Sequence, residues 1–364
     1  MCDRNLEEIK PHQITSTHNL LLDVLLAAKH EGEMITKNLK EYDNANYESK
    51  ICTALARSFA DIGDIVRGKD LFLGHKQRKI NLENRLQTMF ANILNDNTKE
   101  LGKLTTEQLR EYWWALNRDQ VWKAITCKAK EGDIYSKTAN GIISFDFKCG
   151  HDNDKVTTNL DYVPQHLRWF QEWAEDFCRK KNKKLKDAIQ KCRGEGGNDK
   201  YCDLNGYDCE KTKRGRNIYR WDYKCTGCFL SCSHFRTWID NQKEQFLKQR
   251  NKYQTEISVG GSTSRSGNGG DRRSTTRQRR SAHGGSYDNG YEKIFYEQLK
   301  NDGYGTVNDF LGLLNNEKAC KEVKDSEGGK IDFKQVNSGK NSDGDGSNKT
   351  FSHTEYCQAC PLCG

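Results

Sequence analysis

The sequence predicts a mostly α, disulfide-rich fold. Apolar residues recur every three to four positions through several long segments, as they do in helices that bury one face. Alternation of the strand kind is confined to one short stretch. The chain of 364 residues also carries 15 cysteines, a load that fits an extracellular setting, where no cytosolic thiol pool reduces disulfides. The odd count leaves at least one cysteine without a partner inside the chain.

Leu20, Leu21, Val24, Leu25 and Ala28 predict a first helix over 17–42. Cys52, Leu55, Ala56, Phe59 and Ile62 share one face of a second. A third, over 78–95, turns Ile80, Leu86, Met89, Phe90, Ile93 and Leu94 inward. Thr105, with Gln108 three residues on, reads as a capping box, in which each side chain satisfies the other residue's backbone N–H. It opens a helix through Leu109, Trp113, Leu116, Val121, Trp122 and Ile125. The run Ile143 to Phe147 alternates apolar and polar residues and predicts a small hairpin. Pro164 sits where a helix begins, because its missing N–H is not needed there. Leu167, Phe170, Trp173, Ala174, Phe177 and Leu185 follow at helical spacing. Residues 194–207, rich in Gly, Asn and Asp, predict a loop. A long helix over 229–256 carries Phe235, Trp238, Ile239, Gln242, Phe246 and Tyr253 on one stripe. Helices over 291–301 and 307–315 are expected to fold back on it. Residues 259–285 and 328–348 have the composition of mobile linkers.

Lys and Arg outnumber Asp and Glu 59 to 51, a net charge of +8. Seven Trp, 15 Tyr and 14 Phe supply enough aromatic surface to argue against disorder over most of the chain. The cations are clustered, and such a field attracts polyanions. In a disulfide-rich chain that polyanion is expected on a cell surface, not in a nucleus. The candidate glycan-binding residues are Arg179, Lys180, Lys181, Lys183 and Lys184; Lys211, Lys213, Arg214 and Arg216; Arg272 and Arg273, with Arg277, Arg279 and Arg280 behind them; and Lys76, Arg78 and Lys79. Arginine forks onto sulfate or phosphate oxygens. The plainer reading of each cluster is a solvated face. Most tryptophans fall on apolar faces; Trp114 and Trp169 are expected to be the exposed ones, free to stack on sugars.

Two cysteine clusters have metal-like spacing: Cys225, Cys228 and Cys232 beside His234, and Cys357, Cys360 and Cys363 beside His353. A zinc-dependent nucleic-acid module is therefore one alternative, since zinc takes four such ligands. Disulfides are the preferred reading. The candidates are Cys52, Cys127, Cys149, Cys178, Cys192, Cys202, Cys209, Cys225, Cys228, Cys232, Cys320, Cys357, Cys360 and Cys363. No nucleophile elbow, P-loop, zinc-protease or Rossmann motif occurs, so no enzymatic activity and no cofactor are expected. No apolar h-region follows Met1, and no apolar run approaches the ~20 residues of a membrane span. An extracellular chain with neither feature is expected to be a fragment of a longer, membrane-anchored one.

Four blocks carry a family resemblance: ICTALARSFADIGDIVRGKDL (51–71), LREYWWALNRDQVWKAITC (109–127), YVPQHLRWFQEWAEDFC (162–178) and CTGCFLSCSHFRTWIDNQKEQFLKQRNKY (225–253). They closely resemble signature blocks of Duffy-binding-like domains, the adhesion domains of malaria-parasite surface proteins. Their order and spacing are most similar to the alpha class of the Plasmodium falciparum erythrocyte membrane protein family. CQACPLCG at the end resembles that class's closing motif. The resemblance implies three subdomains locked by disulfides: an irregular 1–46, a helix bundle over 47–192, and a long antiparallel helix pair within 193–364 with a mobile loop at 259–285.

The resemblance also implies adhesion of infected red cells to host receptors, at the extracellular face of the infected red-cell membrane. Cys127 and Cys149 are the only cysteines between the DIGDI and PQHLRW blocks, and Arg110-Glu111-Tyr112 matches a short family marker. That two-cysteine pattern is enriched among rosetting variants. The implied partners are heparin or heparan sulfate, blood-group oligosaccharides, complement receptor one and host antibodies. A structural or antigenic module, with receptor binding in a neighbouring domain, is the second alternative. Relatives carry a further cysteine just before the position of Cys2. The leftover thiol is therefore expected to mark a truncation, with Cys2 the first suspect.

Overall fold

The structure, a computed structural model, describes residues 17–42, 47–71, 77–130, 133, 149, 155–197, 199–209, 225–259, 290–322, 330–335 and 350–359. The hairpin expected at 143–147 lies outside them. So do Cys2, Cys360 and Cys363. Helices dominate the described residues, and the sole β pairing there is an isolated bridge between Cys202 and Asp208. The chain divides into two compact units, Met1–Trp169 and Phe170–Gly364.

The first unit is built on α1 (Thr17–Tyr42), α2 (Tyr47–Arg67), α3 (Gln77–Asp96) and α4 (Thr106–Ile125). The limits of α1 coincide with those its apolar spacing predicts. The capping box of Thr105 and Gln108 is formed, with Thr105 Oγ1 accepting from the Gln108 N–H. Leu20, Val24 and Ala28 of α1 pack with Leu55, Phe59 and Ile62 of α2 in one core. Helices α1 and α4 approach so closely at Gly32 that a Cβ there would lie 2.0 Å from the Ile125 carbonyl oxygen.

Trp114 is fully buried, against the expectation that it is exposed. Successive residues on a helix point about 100° apart, and α4 is covered over an arc wide enough to take two of them. Trp113 meets Phe90 of α3 edge-on, while Trp114 meets Phe59 of α2. The indole of Trp114 fills the space that a Cβ at Gly63 would enter. Its Nε1–H donates to Asp161, on a 3-10 turn at Leu160–Tyr162. Trp169 is half-buried.

A buried ion network underlies this packing. Asp64 accepts from Arg67 at 3.0 Å and from Arg168 at 2.5 Å, and Arg168 also reaches Asp61. Arg118 forks onto both oxygens of Asp161, at 2.8 and 2.7 Å. Arg110, of the short marker, is buried. It forks onto Glu83 and donates to the carbonyls of Val66 and Ile65. Its neighbour Tyr112 is 56% exposed.

The unit boundary falls within α5 (Gln165–Arg193). The second unit adds α6 (Thr226–Val259), α7 (Gly290–Leu299) and α8 (Val307–Leu314). Phe170 touches Phe246, Trp173 donates to Gln242, Phe177 stacks on Trp238, and Asp187 accepts from Ser231. As one number rises the other falls, so α5 and α6 run antiparallel. Between them Trp173, Phe177 and Trp238 form a near-parallel stack, with centroids 5.1 and 5.5 Å apart. Helix α8 joins this core through Phe310, which stacks on Tyr253 of α6 at 4.5 Å. Residues 330–335 are ordered here, although their composition reads as linker. The reason is Phe333, fully buried against Trp173, Phe177 and Phe246.

Candidate glycan-binding face

The five-cation run lies on α5, and the helix sorts it. Phe177, Lys181, Leu185, Ala188 and Cys192 follow one another every three to four residues on the buried stripe. Lys181 is thereby 1% exposed and is no candidate for a ligand at the surface. Lys184 lies half-buried with its ammonium 5.7 Å from the Trp238 ring centroid. It caps the aromatic stack, a cation–π contact that occupies its charge.

Arg179 and Lys180 are exposed and both pair with Asp176, at 2.5 and 2.6 Å. Exposed pairs of this kind contribute little to stability and are readily exchanged for another anion. Lys183 is exposed and makes no ion pair among the described residues. Two further lysines are exposed: Lys186 extends the row, and Lys191, turned about 140° from Lys186, stands on the flank of the helix. Sequence reasoning passed over them because they lie outside the dense run. The signal was the spacing 179, 183, 186, which sets three cations on one face. From Arg179 to Lys186 the row spans about 10 Å at 1.5 Å per residue.

Of the other candidates, Lys76, Lys211, Lys213, Arg214, Arg216, Arg272 and Arg273 lie outside the described residues. Arg78 and Lys79 fall on the first turn of α3, with their side chains outside the description.

The cysteines are joined as Cys52–Cys149, Cys178–Cys320, Cys192–Cys228, Cys202–Cys225 and Cys232–Cys357. Cys209 is disulfide-bonded as well. The three members of the Cys225, Cys228, Cys232 cluster thus go to three different partners. None keeps a thiolate for a metal, which overturns the zinc reading of that cluster. His353 pairs instead with Asp240 at 2.7 Å.

Cys127, counted among the disulfide candidates, is a free thiol, because Cys149 bonds Cys52 on α2. It stands half-buried just beyond α4. Burial, reinforced by the Glu33 carboxylate, pushes its pKa up. The thiolate is the reactive form, so alkylation of Cys127 is expected to be slow at pH 7 and to quicken about tenfold per pH unit into the alkaline range. Non-reducing peptide mapping after timed iodoacetamide exposure checks this. Label that reached Cys127 at one rate from pH 7 to 9 would contradict it.

This is a disulfide-rich, helical class of domain: an ion-locked bundle followed by a disulfide-locked helix pair. The profile described as "Duffy binding domain" matches residues 1–168, and that described as "Duffy-binding-like domain, C-terminal subdomain" matches residues 172–355. The chain belongs to the Duffy-binding-like family. The two profiles meet where the two compact units divide.

Among solved structures it is similar to the NTS-DBL1(alpha-1) domain of Plasmodium falciparum membrane protein 1 (PfEMP1) from the varO strain. Identity is 37%, over 99% of this chain and 75% of that one, with a TM-score of 0.75. It is also similar to an ICAM-1-binding PfEMP1 DBLbeta domain, at 28% identity over 85% of this chain and 66% of that one, with a TM-score of 0.55. The Duffy receptor beta form of Plasmodium knowlesi is 26% identical over 259 residues, 68% of this chain. The chain spans 18% of that receptor's length. Among the described residues, no helix is long and apolar enough to cross a membrane.

Proposed function

We propose that this chain is a non-enzymatic adhesion domain that binds sulfated, heparin-like glycan on host red cells through the outer face of α5. It acts at the extracellular face of the infected red-cell membrane, within a longer anchored protein. One observation carries this reading: Lys183 and Lys186 stand exposed on one face of α5, with Lys191 exposed on its flank, and among the described residues no carboxylate is paired to them. Arg179 and Lys180 join them once a sulfate displaces Asp176. Cationic rows of this kind bind polyanions by releasing counter-ions, so binding weakens steeply with salt. Cys127 and Cys149, the two cysteines between the DIGDI and PQHLRW blocks, support the rosetting-associated type. The receptor-binding relatives support a host-cell ligand in general. Blood-group sugars, which are neutral, would need a different surface, because the rings of Trp173, Phe177 and Trp238 stack on one another and under Lys184.

Charge reversal of Lys183, Lys186 and Lys191 together is expected to move elution from a heparin column to markedly lower salt and to flatten the salt dependence. Reversal of buried Lys181 is no control, because it disturbs folding. Unchanged retention of the triple variant would remove α5 as the binding face. It would leave the basic clusters outside the described residues, or a neighbouring domain, to bind.

A further inference from the structure

Two disulfides of the second unit touch. The Cys232 sulfur lies 3.6 Å from that of Cys192 and 4.0 Å from that of Cys228, although its own bond is to Cys357. These are van der Waals distances between sulfurs that belong to different bridges. All of them lie in one buried cluster with Cys202, Cys225 and Ala188. Cys228 and Cys232 are one turn apart on α6, so both face the same sulfur of α5.

The backbone leading into Cys357 holds a strained residue. Thr354, three residues before Cys357, holds φ at 60° and ψ at 147°. A β-branched residue rarely adopts a positive φ, and such strain persists only where the surroundings enforce it. Thr354 is also buried with its Oγ1 unpartnered. The 350–359 segment is otherwise held by the His353–Asp240 pair, by Thr350 against Asp332, and by Phe351 among the aromatic rings.

We propose that Cys232 is the exchange centre of a redox-sensitive disulfide pair. When a thiol opens Cys232–Cys357, Cys232 re-bonds to Cys192, and the 350–359 segment loses its covalent anchor. The first step needs an external thiolate, from a small thiol or a dithiol oxidoreductase. It attacks the Cys357 sulfur, the bond to Cys232 breaks, a mixed disulfide forms at Cys357, and Cys232 departs as thiolate. Cys232 then attacks the Cys192 sulfur: the Cys192–Cys228 bond breaks, Cys192–Cys232 forms, and Cys228 takes up a proton. Each step exchanges one S–S bond for another, so no oxidant is consumed. The three sulfurs form a triangle, so the freed Cys232 must rotate about its Cα–Cβ bond to come into line with the bond it attacks. Throughout, α6 stays stapled to α5, through Cys232 in place of Cys228. Relief of the Thr354 backbone favours opening on the Cys357 side.

The full chain carrying Cys357→Ser tests the exchange without any reductant. Cys192, Cys228 and Cys232 then share one disulfide. After acid quench and alkylation, label is expected on Cys228 and Cys232 in comparable amounts, with Cys192 disulfide-bonded to the unlabelled one in each molecule. Label confined to Cys232 would overturn the proposal. Should that variant fail to fold, the unaltered chain is titrated with glutathione. Cys192–Cys232 peptides together with glutathione on Cys357 are expected before Cys202–Cys225 opens. Persistence of Cys192–Cys228 until all bridges are lost would overturn the proposal equally.

Discussion

Replacing Cys178 and Cys320 together with alanine is expected to lower the stability of the folded chain by about 5 kcal/mol. The bridge closes a loop of 142 residues. In the chain-entropy account a cross-link acts mainly by limiting the unfolded chain, and its effect grows with the logarithm of loop length. The same account gives about 3 kcal/mol for Cys202–Cys225, which closes only 23 residues. Chemical denaturation of the two double variants checks the difference as well as the size. Equal losses would show that local packing, not loop closure, sets the contribution. Both cysteines of the longer bridge are buried, and alanine is preferred to serine there because a buried hydroxyl would need a partner.

Asp161→Ala is expected to cost about 3–5 kcal/mol, the range for removing one partner of a buried charge pair. Asp161 is fully buried and accepts from Trp114 and twice from Arg118. Its loss leaves the Arg118 guanidinium, which is 16% exposed, without its counter-charge. It also leaves the fully buried Trp114 indole N–H without an acceptor. Asp161→Asn keeps the shape and can still accept from one donor, so it should cost less. Urea denaturation ranks the two. A loss from Asp161→Ala below about 1 kcal/mol, the level of an exposed pair, would show that the network is not desolvated as its burial implies.

Local devices were readable in the sequence. The capping box at Thr105 needs only two residues in place, and the first helix runs over the residues its leucines mark. The run Arg179 to Lys184 was harder. Composition shows five cations, but only the phase of α5, anchored by Phe177, says that Lys181 turns inward while Lys183 turns out. Trp114 was misplaced because two adjacent tryptophans on a helix normally cannot both be inward. Here a second layer, the turn bearing Asp161, arrives from 47 residues later and buries it. Phe333 hid in polar sequence for the same reason: one aromatic residue is enough to anchor a segment when a hydrophobic cluster elsewhere has room for it. Disulfide pairing is tertiary by nature. Spacing drew Cys225, Cys228 and Cys232 together as if for a metal, whereas the fold sends each to a different place. Cys127 kept its thiol, which no count of cysteines could locate.

The division of labour on α5 has an evolutionary consequence. Its inner stripe is committed to rings and sulfurs, through Phe177, Cys178, Lys181, Leu185 and Cys192, and the covalent bridges would hold that stripe in place even as other contacts drift. Its outer stripe, at Lys183 and Lys186, is exposed and touches none of that. Substitution at such surface positions changes stability little. Charge there can thus be gained, lost or reversed while the scaffold folds as before, and a glycan bound through this face, as proposed, would be lost or retuned without cost to the core.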